Sequence, residues 1–310
     1  MNGLTSGKLA EIVQGPLTLG TMPPLGGEWE PVRRVVFESA TVDRGDVYWD
    51  LSNCTSVPGA SGVAEEAFAR GAVGVVSSRY IEPWAGAFSI QIADAHHALE
   101  RLAHWVIVRS RRRRILVLDA PGGFLPNLLQ LLIHGEVTPR PCLTADEVAM
   151  QTIRGGLTAQ WDLVSVPVTT EEHLGRISDL CAPRVAVITS AAAGRMDLPA
   201  LLDALPRGGV ALLSSDDAQL PFLQTTSTNI VRMSAEADDQ HSELKLGVLI
   251  GNQLGFRARQ VAEAYQKLRE APQMLEVNTE TTKTCKAPPL VSGLRESDTA
   301  LPPGLKRWAC

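Results

Sequence analysis

A strand, a glycine-containing turn and a helix, in that order, form a common protein cradle for phosphate, because the helix N-terminus presents free backbone N–H groups to the anion. Residues 115–127, ILVLDAPGGFLPN, have this order. The apolar run 115–118 reads as a buried central strand, and the apolar run 128–133 reads as the helix that follows. Chemistry at such a loop needs a Lys to neutralise the β/γ-phosphates and a Ser or Thr hydroxyl to ligate Mg²⁺. Phe124 and Leu125 stand where those two side chains belong. Neither carries charge or coordinates a metal. What remains is Gly122 and Gly123, whose N–H groups can still attract a phosphate. The same glycines also suit a tight strand-to-helix turn, while Pro121 and Pro126 stiffen the loop and remove two donors.

Other chemically capable groups are scattered. The run RSRRRR at 109–114 reads either as an anion-binding patch or as a solvated helix C-terminus and linker, where cations oppose the helix dipole. No aromatic residues are interleaved with it for base stacking. His96, His97 and His104 share a segment whose Leu99, Leu102 and Ala103 face the core, which suits a solvated or half-buried helix face rather than a metal-ligand set. The five cysteines are dispersed and odd in number, with no spacing for a zinc knuckle or redox pair. Reduced structural or surface thiols are expected, and no metal site.

The whole chain bounds the options. Its 310 residues are enough for two domains, each with its own core. Hydrophobic content of 45% and charged content of 20% are ordinary for a globular protein. A net charge of −5 supplies no global attraction to nucleic acid or anionic membrane. No apolar run approaches the ~20 residues of a membrane-spanning helix, and the N-terminus does not read as a secretory signal. A cytoplasmic location without membrane contact is expected.

The elements that must position the loop alternate. Strands are expected at 32–38, 47–51, 72–77 and 88–92, with helices at 62–70, ending at Gly71, and at 95–108. An amphipathic opening covers 8–14, and 15–27 reads as a Pro/Gly-rich loop. After residue 110, strands at 115–118, 162–168, 185–189 and 210–214 alternate with helices at 171–181 and 198–205. This pattern implies an α/β unit with a mainly parallel sheet and ligand binding at the strand C-terminal ends, which fall at Asp119, Pro167, Thr189 and Ser214. One more helix is expected at 257–268. The division is 1–110, 111–270 and a tail, 271–310, rich in Thr, Pro and Ser and expected to be poorly ordered.

Several passages in this order resemble the Mur ligases, ATP-dependent enzymes that add amino acids to UDP-N-acetylmuramoyl peptides, and most of all the branch that adds D-alanyl-D-alanine. FESATVDRGDVYWDL (37–51) is similar to the family's Asp-Ser-Arg motif and the strand after it, and AFARGAVGVV (67–76) to its helix-to-strand step. Asp94, Ala98-Leu99 and Leu102-Ala103 match the start of its linking helix. APRVAVIT (182–189) and GGVALLSSDD (208–217) resemble two later strands and their ends. The resemblance spans roughly residues 30–220. It implies an N-terminal domain that holds the UDP moiety, followed by a P-loop-like central domain.

The residues that the family uses are largely replaced. On this alignment Glu38 and Ser39 are the UDP-site remnant, with Ala40 in place of the motif's Arg. In the phosphate loop the first Gly is Ala120, Gly122 and Gly123 remain, and Phe124-Leu125 replace Lys-Thr. The metal-binding Glu becomes Ser165, the Asn after Thr189 becomes Ser190, and the His falls near Arg195. The helix at 198–205 has no Lys to be carbamylated. Ser214, Asp216 and Asp217 are the nucleotide-side remnant. Each lost electrostatic contact is typically worth a few kcal/mol in a phosphoryl-transfer transition state, so no catalytic residue is assigned and neither ATP nor Mg²⁺ is expected to bind. About ninety residues follow Asp217, so the family's third domain is expected to be truncated or absent.

The resemblance implies a catalytically degenerate Mur-ligase-like protein that binds a UDP-N-acetylmuramoyl peptide or a partner ligase in the peptidoglycan-precursor pathway. Two readings stay open beside it. One is an active ligase using ATP and Mg²⁺ with a displaced catalytic set (Asp119, Asp216, Asp217 and Arg195). The other is anion or nucleic-acid binding through Arg109–Arg114.

Overall fold

The computed structural model describes residues 3–51, 63–110, 113–120, 123–134, 142, 144–154, 161–170, 173–189, 197–214, 229–233 and 242–270. The chain opens with helix α1 (Ser6–Val13), whose first turn is capped by Thr5 Oγ1 accepting the Lys8 N–H at 3.2 Å. Strands β1 (Leu17–Leu19), β2 (Val35–Val36) and β3 (Val47–Trp49) follow, then α2 (Val63–Ala69), β4 (Gly74–Ser77), β5 (Phe88–Gln91) and α3 (Ala95–Arg109). The first sheet has the order β1-β5-β4-β3-β2; β1 is antiparallel to β5 and every other pair is parallel. Strand β1 lies inside the stretch read from sequence as a loop, because three residues between Gly15 and Gly20 are too few to show a period.

The second half runs β6 (Arg113–Asp119), α4 (Phe124–His134), α5 (Ala145–Arg154), β7 (Trp161–Pro167), α6 (Leu174–Cys181), β8 (Val185–Ile188), α7 (Leu198–Asp203), β9 (Val210–Ser214), β10 (Asn229–Met233), α8 (Ser242–Leu254) and α9 (Ala258–Glu270). Its sheet, β10-β9-β8-β6-β7, is parallel in every pair. The α/β class and the parallel second sheet are as expected. Several features differ: β6 begins two residues earlier, α4 begins four residues earlier, and α5, β10 and α8 were not anticipated. The tail at 271–310 lies outside the described residues.

Register sets the site. Asp119 pairs with Pro167, Leu118 with Ile188, and Ile188 with Leu213. Parallel strands in this register bring the C-terminal ends of β6, β7, β8 and β9 to one edge, the edge from which α4 departs.

One apolar cluster joins the two sheets. Helix α3 packs on α1 and also on α5 and α6, and Leu99 and Leu102, both fully buried, share a core with Trp49 and Phe88 on one side and Val148, Ile153 and Ile177 on the other. At about 25 cal/mol per Å² of apolar surface removed from water, a seam of this kind is the main source of cohesion between the halves. Polar bonds at its rim add direction: Arg176 Nε donates to Glu100 Oε1 at 2.9 Å, and His96 Nδ1 pairs with Asp146. Cys142 and Cys181 are free and buried, and burial pushes the Cys142 thiol up to about 12, so both behave as apolar filler. Arg114, expected in a solvated linker, is 2% exposed in β6 with its guanidinium 4.0 Å from Asp162. A run of arginines looks solvated in sequence, yet β6 carries Arg114 into the interior while Arg113 stays exposed.

Candidate functional site

The phosphate-loop candidate is built as strand, turn and helix. Asp119 ends β6, and its Oδ1 accepts the Ala120 N–H at 2.8 Å and the Thr189 hydroxyl at 2.9 Å. Burial pushes the Asp119 carboxyl above its ordinary range, opposed by the bonds from Thr189 and Ala120. The other oxygen lies against Gly123: a Cβ at that residue would stand 2.1 Å from Asp119 Oδ2. Glycine at 123 is therefore what lets this carboxylate sit at the N-terminus of α4, where the helix dipole favours a negative charge. The Gly123 N–H is already donated, to the Ala120 carbonyl at 3.0 Å. Gly122 lies outside the described residues.

The two residues that the resemblance aligns with Lys and Thr both pack against apolar neighbours. Phe124 meets Tyr265 of α9 with ring centroids 5.1 Å apart and planes at 63°, an edge-to-face geometry. It belongs to a small cluster of Leu128, Val261, Tyr265 and Leu268 that docks α9 on α4. Leu125, 5% exposed, packs with Ile115, Val117, Leu129 and Ile250 against the sheet. Pro126 falls in the first turn of α4, where a missing N–H costs nothing.

Around the loop, Ser165 sits inside β7, its carbonyl accepting the Cys142 N–H at 2.7 Å. The backbone of Ser214 ends β9 on the same edge as Asp119. Asp216, Asp217, Ser190 and Arg195 lie outside the described residues. Among the described residues no group of three His, Cys, Asp or Glu could hold a metal ion.

The second candidate edge is formed by the C-terminal ends of β2, β3 and β4. Glu38 and Ser39 follow β2, and both are engaged within the chain. Arg154 of α5 reaches Glu38 Oε1 at 3.1 Å, and its guanidinium lies 5.5 Å over the Phe37 ring. Ser39 Oγ donates to Glu66 Oε2 at 2.8 Å, and that bond, with a second from Arg70, holds the Glu66 carboxyl below the usual carboxylate range. On the neighbouring strands, Asp50, 3% exposed, accepts the Ser77 hydroxyl at 2.9 Å and Arg79 Nη2 at 3.3 Å. Sequence reading did not single out this Asp50–Ser77–Arg79 set. Its members are separated by a helix in the chain and meet only because β3 and β4 pair in parallel. It places a half-exposed guanidinium at the edge where Ala40 supplies none.

These two parallel-rich units with their carboxyl-end edges define the class: the chain has a Mur-ligase-like α/β fold. It is similar over 84% of its length to the UDP-N-acetylmuramoylalanyl-D-glutamyl-2,6-diaminopimelate--D-alanyl-D-alanyl ligase of Acinetobacter baumannii, with a TM-score of 0.60, 16% identity and 67% of that chain covered. A second structure, MurF from the same organism, gives a TM-score of 0.61 at 15% identity over the same shares. The MurF ligase of Thermotoga maritima in complex with ADP gives 0.54 at 13% identity, over 73% of this chain and 64% of that one. The chain thus spans about two thirds of the length of each. At these identities the likeness is one of fold. No family model and no curated protein matches the sequence. Among the described residues no helix is long and apolar enough to cross a membrane.

Proposed function

We propose that this chain is a catalytically silent Mur-ligase-like protein that binds a UDP-N-acetylmuramoyl peptide, or a partner ligase, in the cytoplasmic part of the peptidoglycan-precursor pathway. It works through two units, 1–110 and 111–270. The observation that carries the reading is the fate of the phosphate loop. Phe124 and Leu125 are committed to apolar packing, so the positions that would hold phosphate and Mg²⁺ now hold α4 to α9 and to the sheet. The Gly123 N–H is spent on its own turn, and the Asp119 carboxylate stands at the helix N-terminus where a phosphate would approach. A like charge at a few ångströms disfavours a second anion there. Loss of one such electrostatic contact typically slows an enzyme by roughly a hundred- to a thousand-fold, and this loop lacks several together.

The first unit supports the binding half of the reading. Its carboxyl-end edge keeps a guanidinium, Arg79, anchored on the buried Asp50. An anchored Arg suits a diphosphate because its planar fork is held in one orientation.

The test measures two things on the full chain. Phosphate release is followed with ATP, Mg²⁺, D-alanyl-D-alanine and UDP-N-acetylmuramoyl-tripeptide together, and binding of the tripeptide precursor is followed by calorimetry. Precursor binding without phosphate release is the expected outcome. Turnover would instead establish the active-ligase reading with a displaced catalytic set.

A further inference from the structure

The opposite edge of the first sheet carries a groove that neither candidate edge uses. It lies where β3, β4 and β5 begin, since the turns at Gly45, Gly71 and Gly86 form its floor. One wall is the loop after β1, including Met22 and Leu25; the other is Phe68 of α2 stacked on Trp84, centroids 5.8 Å apart. The cavity measures about 700 Å³, within the range of binding pockets of about 300–1,000 Å³, and it is open along one side.

Three observations say what belongs there. The wall residues are apolar and uncovered: Leu25 is 109% exposed, Met22 68% and Trp84 48%. Exposed apolar side chains scattered singly are ordinary, but a cluster lining one concavity marks an interaction surface. The wall is held in place, for Gly86 donates to the Met22 carbonyl at 2.6 Å and Gly27 to the Pro24 carbonyl at 2.8 Å, so binding need not order the loop. The charged residues of the lining are Arg44, Arg70 and Glu30. Glu30 is engaged in its own turn, accepting the Gly26 N–H at 2.8 Å, and Arg70 is paired with Glu66 at 3.1 Å. Arg44 is exposed and, among the described residues, has no side-chain partner.

We propose that this groove docks a segment of a partner protein that presents an apolar anchor beside a carboxylate, the anchor between Leu25 and Trp84 and the carboxylate on Arg44. An open groove suits an extended segment, because small-molecule sites bury most of the surface of what they hold. Met, Trp and Arg are also the residue types enriched at the centres of protein interfaces. The site is independent of the fate of the phosphate loop.

The test is fluorescence anisotropy on the full chain with two short labelled peptides, one alternating Leu and Glu, the other alternating Leu and Lys. The Leu/Glu peptide should bind saturably and at least about tenfold tighter than the Leu/Lys peptide. Arg44→Glu should reverse that order, and Leu25→Ser should weaken both by about tenfold. Both side chains are exposed, so circular dichroism should show an unaltered fold. No saturable binding, equal binding of the two peptides, or a preference that survives Arg44→Glu would each overturn the proposal. Self-association seen by sedimentation equilibrium and lost in Leu25→Ser would overturn it too, assigning the groove to a second copy of the chain.

Discussion

Phe124 on α4 and Tyr265 on α9 meet edge to face with their ring centroids 5.1 Å apart. The contact closes the helical layer over the second sheet with a residue that the Mur-ligase resemblance places at the phosphate-binding Lys. A position that faces a nucleotide in a working loop here faces a helix. Its replacement should therefore be felt as a loss of stability. Phe124→Ala is expected to destabilise the chain by about 2 kcal/mol, below the cost of a fully buried Phe. A double-mutant cycle with Tyr265→Ala should show a coupling of about 0.5–1.5 kcal/mol in chemical denaturation. Additivity of the two substitutions would mean that the ring contact contributes nothing.

Installing Lys and Thr in the loop should not create a nucleotide site. Phe124→Lys with Leu125→Thr leaves the Asp119 carboxylate at the helix N-terminus and places polar groups in two apolar clusters. The double variant should melt at a lower temperature and still give no heat with Mg-ATP. Saturable ATP binding by this variant would show that two side chains alone separate the loop from function.

Asp119 provides a pH signature. Its carboxyl is raised above the ordinary range, chiefly by burial. A raised carboxylic acid binds more protons folded than unfolded. The cost of holding it charged is thus present at neutral pH and fades as pH falls through the folded value toward the unfolded one. Asp119→Asn, which can still accept from Thr189 and Ala120, should raise the melting temperature at pH 7. That gain should shrink and vanish in acid. A stability gain unchanged between neutral and acid pH would contradict the assignment.

Glu38 and Arg154 tie the first unit to α5 at 3.1 Å. Both side chains are about half exposed, so the pair itself should contribute no more than about 1 kcal/mol, with a similar amount from the guanidinium over Phe37. Arg154→Ala should lower stability by that small amount and free Glu38. Hydrogen exchange should then rise first at the β2 end and α5. A loss of several kcal/mol would mean that Arg154 also serves a contact outside the described residues.

The fold was legible where the pattern was local. The step from β6 to α4 shows as an apolar run, glycines and a second apolar run, and the strand ends at Asp119, Pro167 and Ser214 were found from the apolar segments alone. Less was visible where structure depends on distant partners. Strand β1 is three edge residues whose place is fixed by pairing with β5. Arg114 enters the interior because β6 extends to meet Trp161 and Asp162. At the site, the apolar character of residues 124 and 125 was legible from their types. The packing of Phe124 on Tyr265, the Asp119 carboxylate against Gly123 and the engagement of Glu38 by Arg154 are non-local contacts that no periodicity carries.

The most direct test of a silent phosphate loop is calorimetric titration of the full chain with Mg-ATP. A nucleotide site blocked by Asp119 and filled by Phe124 and Leu125 predicts no saturable heat up to millimolar nucleotide. Saturable binding, abolished by a bulky substitution at Gly123, would contradict it and return the chain to the nucleotide-binding ligases.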